Sequence, residues 1–308
     1  MTENPTCDLY ILSAITDLSF IEQTVPHQLK NCNISHGNKY LVIDTAKISG
    51  YYSKHRELHP LESLFEIGNN FKESGIIEDV INIDYNDNSK KDAYLKHFSK
   101  DYPETHCFRG YPYWGSILPF EHSSSDYVAH LDSDMLLFQS ENYDWIKEAI
   151  NLMEYDKNIA CCLPLSGPPT QDFTLHQPGN EYSFDERGFY RFKDFTSRIF
   201  VMHRERFLSL CPMEISWLSW REPLKSRMFG GGKMLCWEVT VTRAFEKSEY
   251  WRADLASPKA WSLHPTERGD RFNKYLPKVI ELVENGIFPE EQAGRYDLNL
   301  DWWQDISL

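Results

Sequence analysis

The chain has 308 residues, 41% of them hydrophobic and 14% aromatic, a composition that excludes a disordered chain and supplies a sizeable core. With 46 acidic and 32 basic residues the net charge is −14, a field that repels nucleic-acid backbones and anionic membranes, so neither is an expected partner. No apolar run approaches a bilayer span, and the polar stretch from Met1 to Asp8 lacks the basic and apolar regions of a signal peptide, so a cytoplasmic protein without an integral membrane segment is expected.

The seven cysteines are odd in number and form no Cys-x-x-Cys, which indicates neither a disulfide framework nor a zinc knuckle. Leu9 to Leu12 is a short apolar strand that ends in a polar rim, Ser13 to Asp17. A helix is expected over Thr24 to Cys32 with Thr24 as its cap, followed by a strand, Tyr40 to Ile43, that runs into Asp44. Apolar residues at helical spacing predict a helix over Leu58 to Phe71, then a strand over Ile76 to Ile83 and a short helix over Lys90 to Phe98. Phe108 to Phe120 carries Arg109 and turns into another helical segment. This alternation predicts an α/β fold with a mixed, mostly parallel central sheet and helices on both faces.

Tyr127 to Leu131 reads as a strand buried on both faces, and it runs into Asp132-Ser133-Asp134 before Met135 to Phe138 turns apolar again. In an extended segment alternate side chains share a face, so Asp132 and Asp134 project together past the strand end while Ser133 points away. Open α/β sheets bind ligands there, and two neighbouring carboxylates are poor company unless a cation joins them. A hard divalent ion, Mn2+ or Mg2+, held by carboxylates and substrate phosphates, is the economical explanation. An isolated Asp-x-Asp is more often a turn residue and a helix cap. His130 shares strand parity with the pair and is expected to be a core histidine with a hydrogen-bond partner.

After an amphipathic helix, Tyr143 to Tyr155, and a strand, Ile159 to Leu163, the segment from Pro164 to Asp194 has no clear period and is expected to be an irregular connection. Ile199 to Met202 is a strand, followed by a short helix near Arg204 to Leu210 and a loop from Trp217 to Gly232. Gly230-Gly231-Gly232 then leads into a helix expected to begin near Lys233 and to carry Glu238 in its early turns. The apolar flanks of Glu238 suit a carboxylate that works as a base, and the plain alternative is a helix acid paired with Lys233 or Arg243. Trp251 to Leu255 and Ala260 to Pro265 are short strands, the second ending in His264. A helix over Arg271 to Glu284 is stopped by Gly286, and the segment ending at Trp302-Trp303 is expected to pack on the domain.

An apolar strand, then Asp132-Ser133-Asp134, then another apolar strand resembles the metal and nucleotide-sugar motif of glycosyltransferases with the GT-A fold. The Gly-rich turn before the Glu238 helix is similar to the part of inverting members that bears the catalytic acid, although Trp237-Glu238-Val239 lacks their usual acid cluster. Asp254 and Glu222 are the fallback acids. The resemblance implies a single Rossmann-like domain, with residues 1–139 binding the nucleotide sugar and 140–308 shaping the acceptor pocket. It further implies transfer from a nucleotide diphosphate sugar, UDP-linked sugars among the candidates, to the hydroxyl of a small-molecule, glycan, lipid or peptide acceptor. Asp132 and Asp134 would hold the metal with His264 as a third ligand, Thr16 and Asp44 would face the base and ribose, Arg109 would add a diphosphate contact, and Glu238 would be the base of an inverting transfer. A retaining transferase is the alternative, as is a non-catalytic binding protein whose Trp217, Trp220, Trp302 and Trp303 stack on sugars. A nucleotidyltransferase would show a Gly-rich loop with a basic residue near the first strand, and Ser13 to Asp17 has neither.

Overall fold

A computed structural model describes residues 5–32, 34, 37–47, 60–85, 88–176, 181–219 and 232–304. The strands are β1 (Cys7–Ala14), β2 (Lys39–Asp44), β3 (Asp79–Asn82), β4 (Tyr127–Asp132), β5 (Leu136–Gln139), β6 (Ile159–Leu163), β7 (Leu165–Ser166), β8 (Ser183–Asp185), β9 (Phe189–Phe192), β10 (Ile199–His203), β11 (Trp251–Leu255), β12 (Ala260–Pro265) and β13 (Asp297–Leu298). The helices are α1 (Ile21–Lys30), α2 (Leu61–Glu73), α3 (Ser89–Phe98), α4 (Trp114–His122), α5 (Trp145–Tyr155), α6 (Arg204–Leu208), α7 (Trp237–Glu246), α8 (Asp270–Glu284) and α9 (Leu300–Trp303).

The main sheet runs β3-β2-β1-β4-β10-β6-β11-β9-β8. β3, β2, β1 and β4 are parallel neighbours, β10 is antiparallel to both β4 and β6, β11 is again parallel to β6, and β9 is antiparallel to both β11 and β8. The sheet is therefore mixed, with β10 and β9 reversed against the rest. Helices cover both faces. Tyr10 and His130 are register partners, and Tyr10 reaches His122 at the end of α4 at 3.0 Å. Tyr127, of opposite parity on β4, bonds Glu154 of α5 on the other face. That sandwiching is why β1, β4 and β6 read as nearly unbroken apolar runs.

β5 leaves the main sheet and pairs antiparallel with β12, which also pairs with β7 and β13, forming a second small sheet packed on α8 and α9. Several expectations are corrected. α1 begins at Ile21, not at Thr24, because the Thr24 hydroxyl turns back to donate to the Phe20 carbonyl at 3.2 Å instead of capping the residues ahead of it. α2 begins at Leu61, and Leu58 lies outside the described residues. The segment from Pro164 to Asp194 is not wholly irregular: it supplies β7 and the β8–β9 hairpin, whose apolar β9 takes the β11 edge. Gly167, at φ +89°, follows β7, and a Cβ there would lie 2.5 Å from the Arg295 carbonyl oxygen, so glycine lets the chain ahead of Tyr296 pass close to Ser166.

Candidate active site

The two carboxylates meet where β1 and β4 end side by side. Leu12 is opposite Asp132 in register, and the Ser133 amide donates to the Leu12 carbonyl at 2.9 Å. Asp17, in the 3-10 turn Ile15–Asp17 after β1, fixes the corner. Its carboxylate accepts from the Ala14 amide at 2.9 Å and from the hydroxyls of Thr16 and Ser133, both at 2.8 Å. From below, the Gln28 side-chain amide donates to the carbonyls of Asp132 and Met135, each at 2.9 Å. Ser133 is thus buried as the pin of the turn, and its neighbours Asp132 and Asp134 open on one cleft of about 100 Å3.

Thr16, Asp44 and Arg109 line the same cleft, together with Asp17, Lys47, His106, Tyr111 and Arg268. Asp44 ends β2 and accepts from the Tyr85 hydroxyl at 2.7 Å and from His106 Nε2 at 2.8 Å, which holds its buried carboxylate against the cleft wall. Burial and that carboxylate push the Tyr85 phenol well above its ordinary range. Asp132 pairs with His130 Nε2 at 3.2 Å, and the His130 ring stacks on Phe200 with centroids 5.1 Å apart. His130 is therefore the core histidine expected, and its partner is the first carboxylate of the pair. Burial raises the Asp132 pKa, His130 works against that rise, and the like charge of Asp134 adds to it.

Arg268 places its guanidinium on the Asp134 carboxylate and lies 3.8 Å from Asp17. No group of three His, Cys, Asp or Glu side chains gathers as a metal cage among the described residues. Two carboxylates with a shared opening fit a hard dication that completes its shell with water and substrate oxygens. Arg268 supplies positive charge at the same carboxylate. His264 lies near the end of β12 with its Nδ1 bonded to Asp297 at 3.1 Å and its ring stacked on Tyr296, and it is buried.

Glu238 opens elsewhere. α7 starts at Trp237, after Cys236, and not near Lys233, so Glu238 lies in its first turn. Glu238 Oε1 accepts from the amide and hydroxyl of Ser197 at 3.1 and 3.0 Å, so its partner is the loop before β10 and neither Lys233 nor Arg243. It lines a separate cavity of about 560 Å3 with Arg198, Arg243, Tyr296 and Asp297. Asp254 is unsuited to serve as a base, because it is fully buried and held by Arg252 at 2.6 and 2.7 Å and by Ser166 at 2.7 Å. Glu222, Trp220, Gly230 and Gly231 lie outside the described residues. Trp303 is buried and bonds Gln292, so it is not a free stacking surface, whereas Trp217 is 41% exposed.

Sequence reasoning missed Asp17, His106, Arg198 and Arg268 as site residues. Asp17 stood in the polar rim after the first strand, which was its only local signal; the others are brought in by pairings between distant parts of the chain.

No family model matches the chain, and no curated protein matches it. Among solved structures it is similar to GalNAc-T7 in a crystal structure with UDP, GalNAc and Mn2+, at 10% identity and a TM-score of 0.45, over 86% of this chain and 44% of that one. The chain thus spans less than half the length of that protein. No helix among the described residues is long and apolar enough to cross a membrane.

Proposed function

We propose that the chain is a GT-A-type glycosyltransferase that moves a sugar from a nucleotide diphosphate sugar, UDP-linked sugars being the first to test, to an acceptor hydroxyl with inversion. What supports this is the cleft shared by Asp132 and Asp134 with Lys47, Arg109 and Arg268 at the carboxyl ends of β1 and β4. In a chain of net charge −14, carboxylates beside three basic side chains suit a pyrophosphate bound together with a cation. Residues 1–139 would form the donor part and 140–308 the acceptor part of one domain. Asp132 and Asp134 would hold Mn2+ or Mg2+, with His264 the candidate third donor through Nε2 because Nδ1 is committed to Asp297. When bound, the ion neutralises charge on the leaving diphosphate as a Lewis acid.

Thr16 and Asp44 would face the base and ribose, and Arg109 the diphosphate. Glu238 would take the acceptor proton: Ser197 fixes Oε1, while Oε2 has no hydrogen bond among the described residues. Because Glu238 opens on a different cavity from the acid pair, retention without a base at this position is the second reading. Calorimetric titration of UDP with and without Mn2+, on wild type and Asp134→Asn, tests the donor assignment. The expected result is that Mn2+ tightens UDP binding by roughly tenfold or more in wild type and not in the variant. Equal affinity with and without the ion would overturn the metal assignment, and no UDP binding would overturn the nucleotide-sugar reading.

A further inference from the structure

The second cavity, outside the donor cleft, holds a cation with no ion-pair partner among the described residues. Arg198 immediately precedes β10, and its carbonyl accepts from the Asp132 amide at 2.7 Å, which anchors its backbone beside the acid pair. Its side chain lines the 560 Å3 cavity next to Glu238. Among the described residues the half-buried guanidinium has no hydrogen bond and no carboxylate within ion-pair distance, while the neighbouring Arg252 is fully engaged by Asp254 at 2.6 and 2.7 Å. Burial opposes the Arg198 charge, but Tyr296 and the surrounding acids Glu238, Asp132 and Asp134 keep it protonated. A guanidinium withdrawn from water and left unpaired is costly unless something else satisfies its planar fork, which matches carboxylate and phosphate oxygens.

The cavity also offers acceptors. Asp194 and Glu246 line it, and their carboxylates likewise make no hydrogen bond among the described residues. Arg243 stands at its exposed side, equally without an ion pair among the described residues. Carboxylates that accept from hydroxyls, set beside guanidiniums that donate to an oxyanion, are complementary to a small molecule carrying both kinds of group.

We propose that the acceptor is an acidic, hydroxyl-rich molecule, an acidic sugar or a sugar phosphate, whose oxyanion is received by Arg198 beside Glu238. This rests on the transferase reading for the word acceptor, while the anion site itself does not.

Titration of wild type with glucuronate, glucose 6-phosphate and glucose tests it, with UDP and Mn2+ titrated separately. Wild type should bind one of the two anionic probes at least about tenfold tighter than glucose, and Arg198→Gln should reduce that preference to about twofold or less, with UDP affinity unchanged. Which anionic probe is preferred separates a carboxylate from a phosphate. Arg198→Lys, which keeps the charge but loses the fork, should fall between the two and decides the matter if the Gln variant does not fold. A wild type that prefers glucose or binds all three alike overturns the proposal, as does a preference that survives both substitutions. Loss of UDP binding in the variants also overturns it, by moving Arg198 to the donor. Should UDP fail to bind wild type while the anionic preference depends on Arg198, the transferase reading falls and the anion site stands.

Discussion

The guanidinium of Arg268 rests on the carboxylate of Asp134, joining the segment before α8 to the end of β4 across a separation of 134 residues. A cation on that carboxylate competes with any metal ion that needs the same oxygens. Gly269, at φ +117°, adjoins Arg268 at the start of α8. We predict that Arg268→Gln binds Mn2+ alone about tenfold more tightly than wild type, the signature of a removed competitor. The same variant should bind UDP with Mn2+ more weakly, because the cleft loses one of its basic groups. Calorimetry on the two proteins checks both, and unchanged Mn2+ affinity would show that Arg268 does not contest the site.

Asp17 organises the corner that presents the acid pair. It accepts from the Ala14 amide and from the Thr16 and Ser133 hydroxyls while remaining buried. Asp17→Asn keeps the volume, removes the charge and leaves donors facing an amide. We expect a stability loss of about 2–3 kcal/mol by urea unfolding, the range for hydrogen bonds to a charged group. UDP affinity should fall as well, since Ser133 loses its anchor between Asp132 and Asp134. A loss within about 0.5 kcal/mol would mean that the corner holds without Asp17.

The legible parts of the chain were those whose signal is local. β1, β4 and β6 are buried on both faces and stand out as short apolar runs, and the acid pair at the end of β4 follows directly. The β8–β9 hairpin was hidden because Phe189-Tyr-Arg-Phe192 lacks a clean alternation, and only its pairing with β11 makes it a strand. Glu238 was found without its setting: its partner Ser197 lies 41 residues earlier and announces nothing by itself. Arg198 and Arg268 carry no motif at all. Their importance lies in what they face, which is decided by β10 entering the sheet beside β4 and by β12 running back along β5.

Acid should unfold the protein through two tethered carboxylates that do not line the cleft. Burial works to raise Glu121, but the His97 hydrogen bond and Lys96 outweigh it and hold the group at about 2. The His27 hydrogen bond, against a burial penalty and with help from Lys30, likewise brings Glu284 to about 2. Both pKa values are depressed on folding from an ordinary 4.5, so their stabilisation is present above that value and is lost as pH falls toward about 2. We predict that the unfolding midpoint in urea declines across this window. Glu121→Gln combined with Glu284→Gln should be less stable at neutral pH and should show a flatter decline. A double variant with the wild-type slope would locate the acid sensitivity in other groups.

The role of Glu238 can be separated from folding and from donor binding. It sits in the first turn of α7 with one oxygen on Ser197, so Glu238→Gln can keep the Ser197 contact through its amide oxygen while losing the basic oxygen. If Glu238 removes the acceptor proton, the variant should bind UDP and Mn2+ as wild type does and transfer sugar about 100- to 10,000-fold more slowly, the usual contribution of a positioned general base. NMR of the anomeric proton in the product gives the companion measurement: inversion belongs with a base at this position. Retention together with near-normal activity of the Gln variant would instead make Glu238 a wall of the acceptor cavity, held by Ser197 for shape and not for proton transfer.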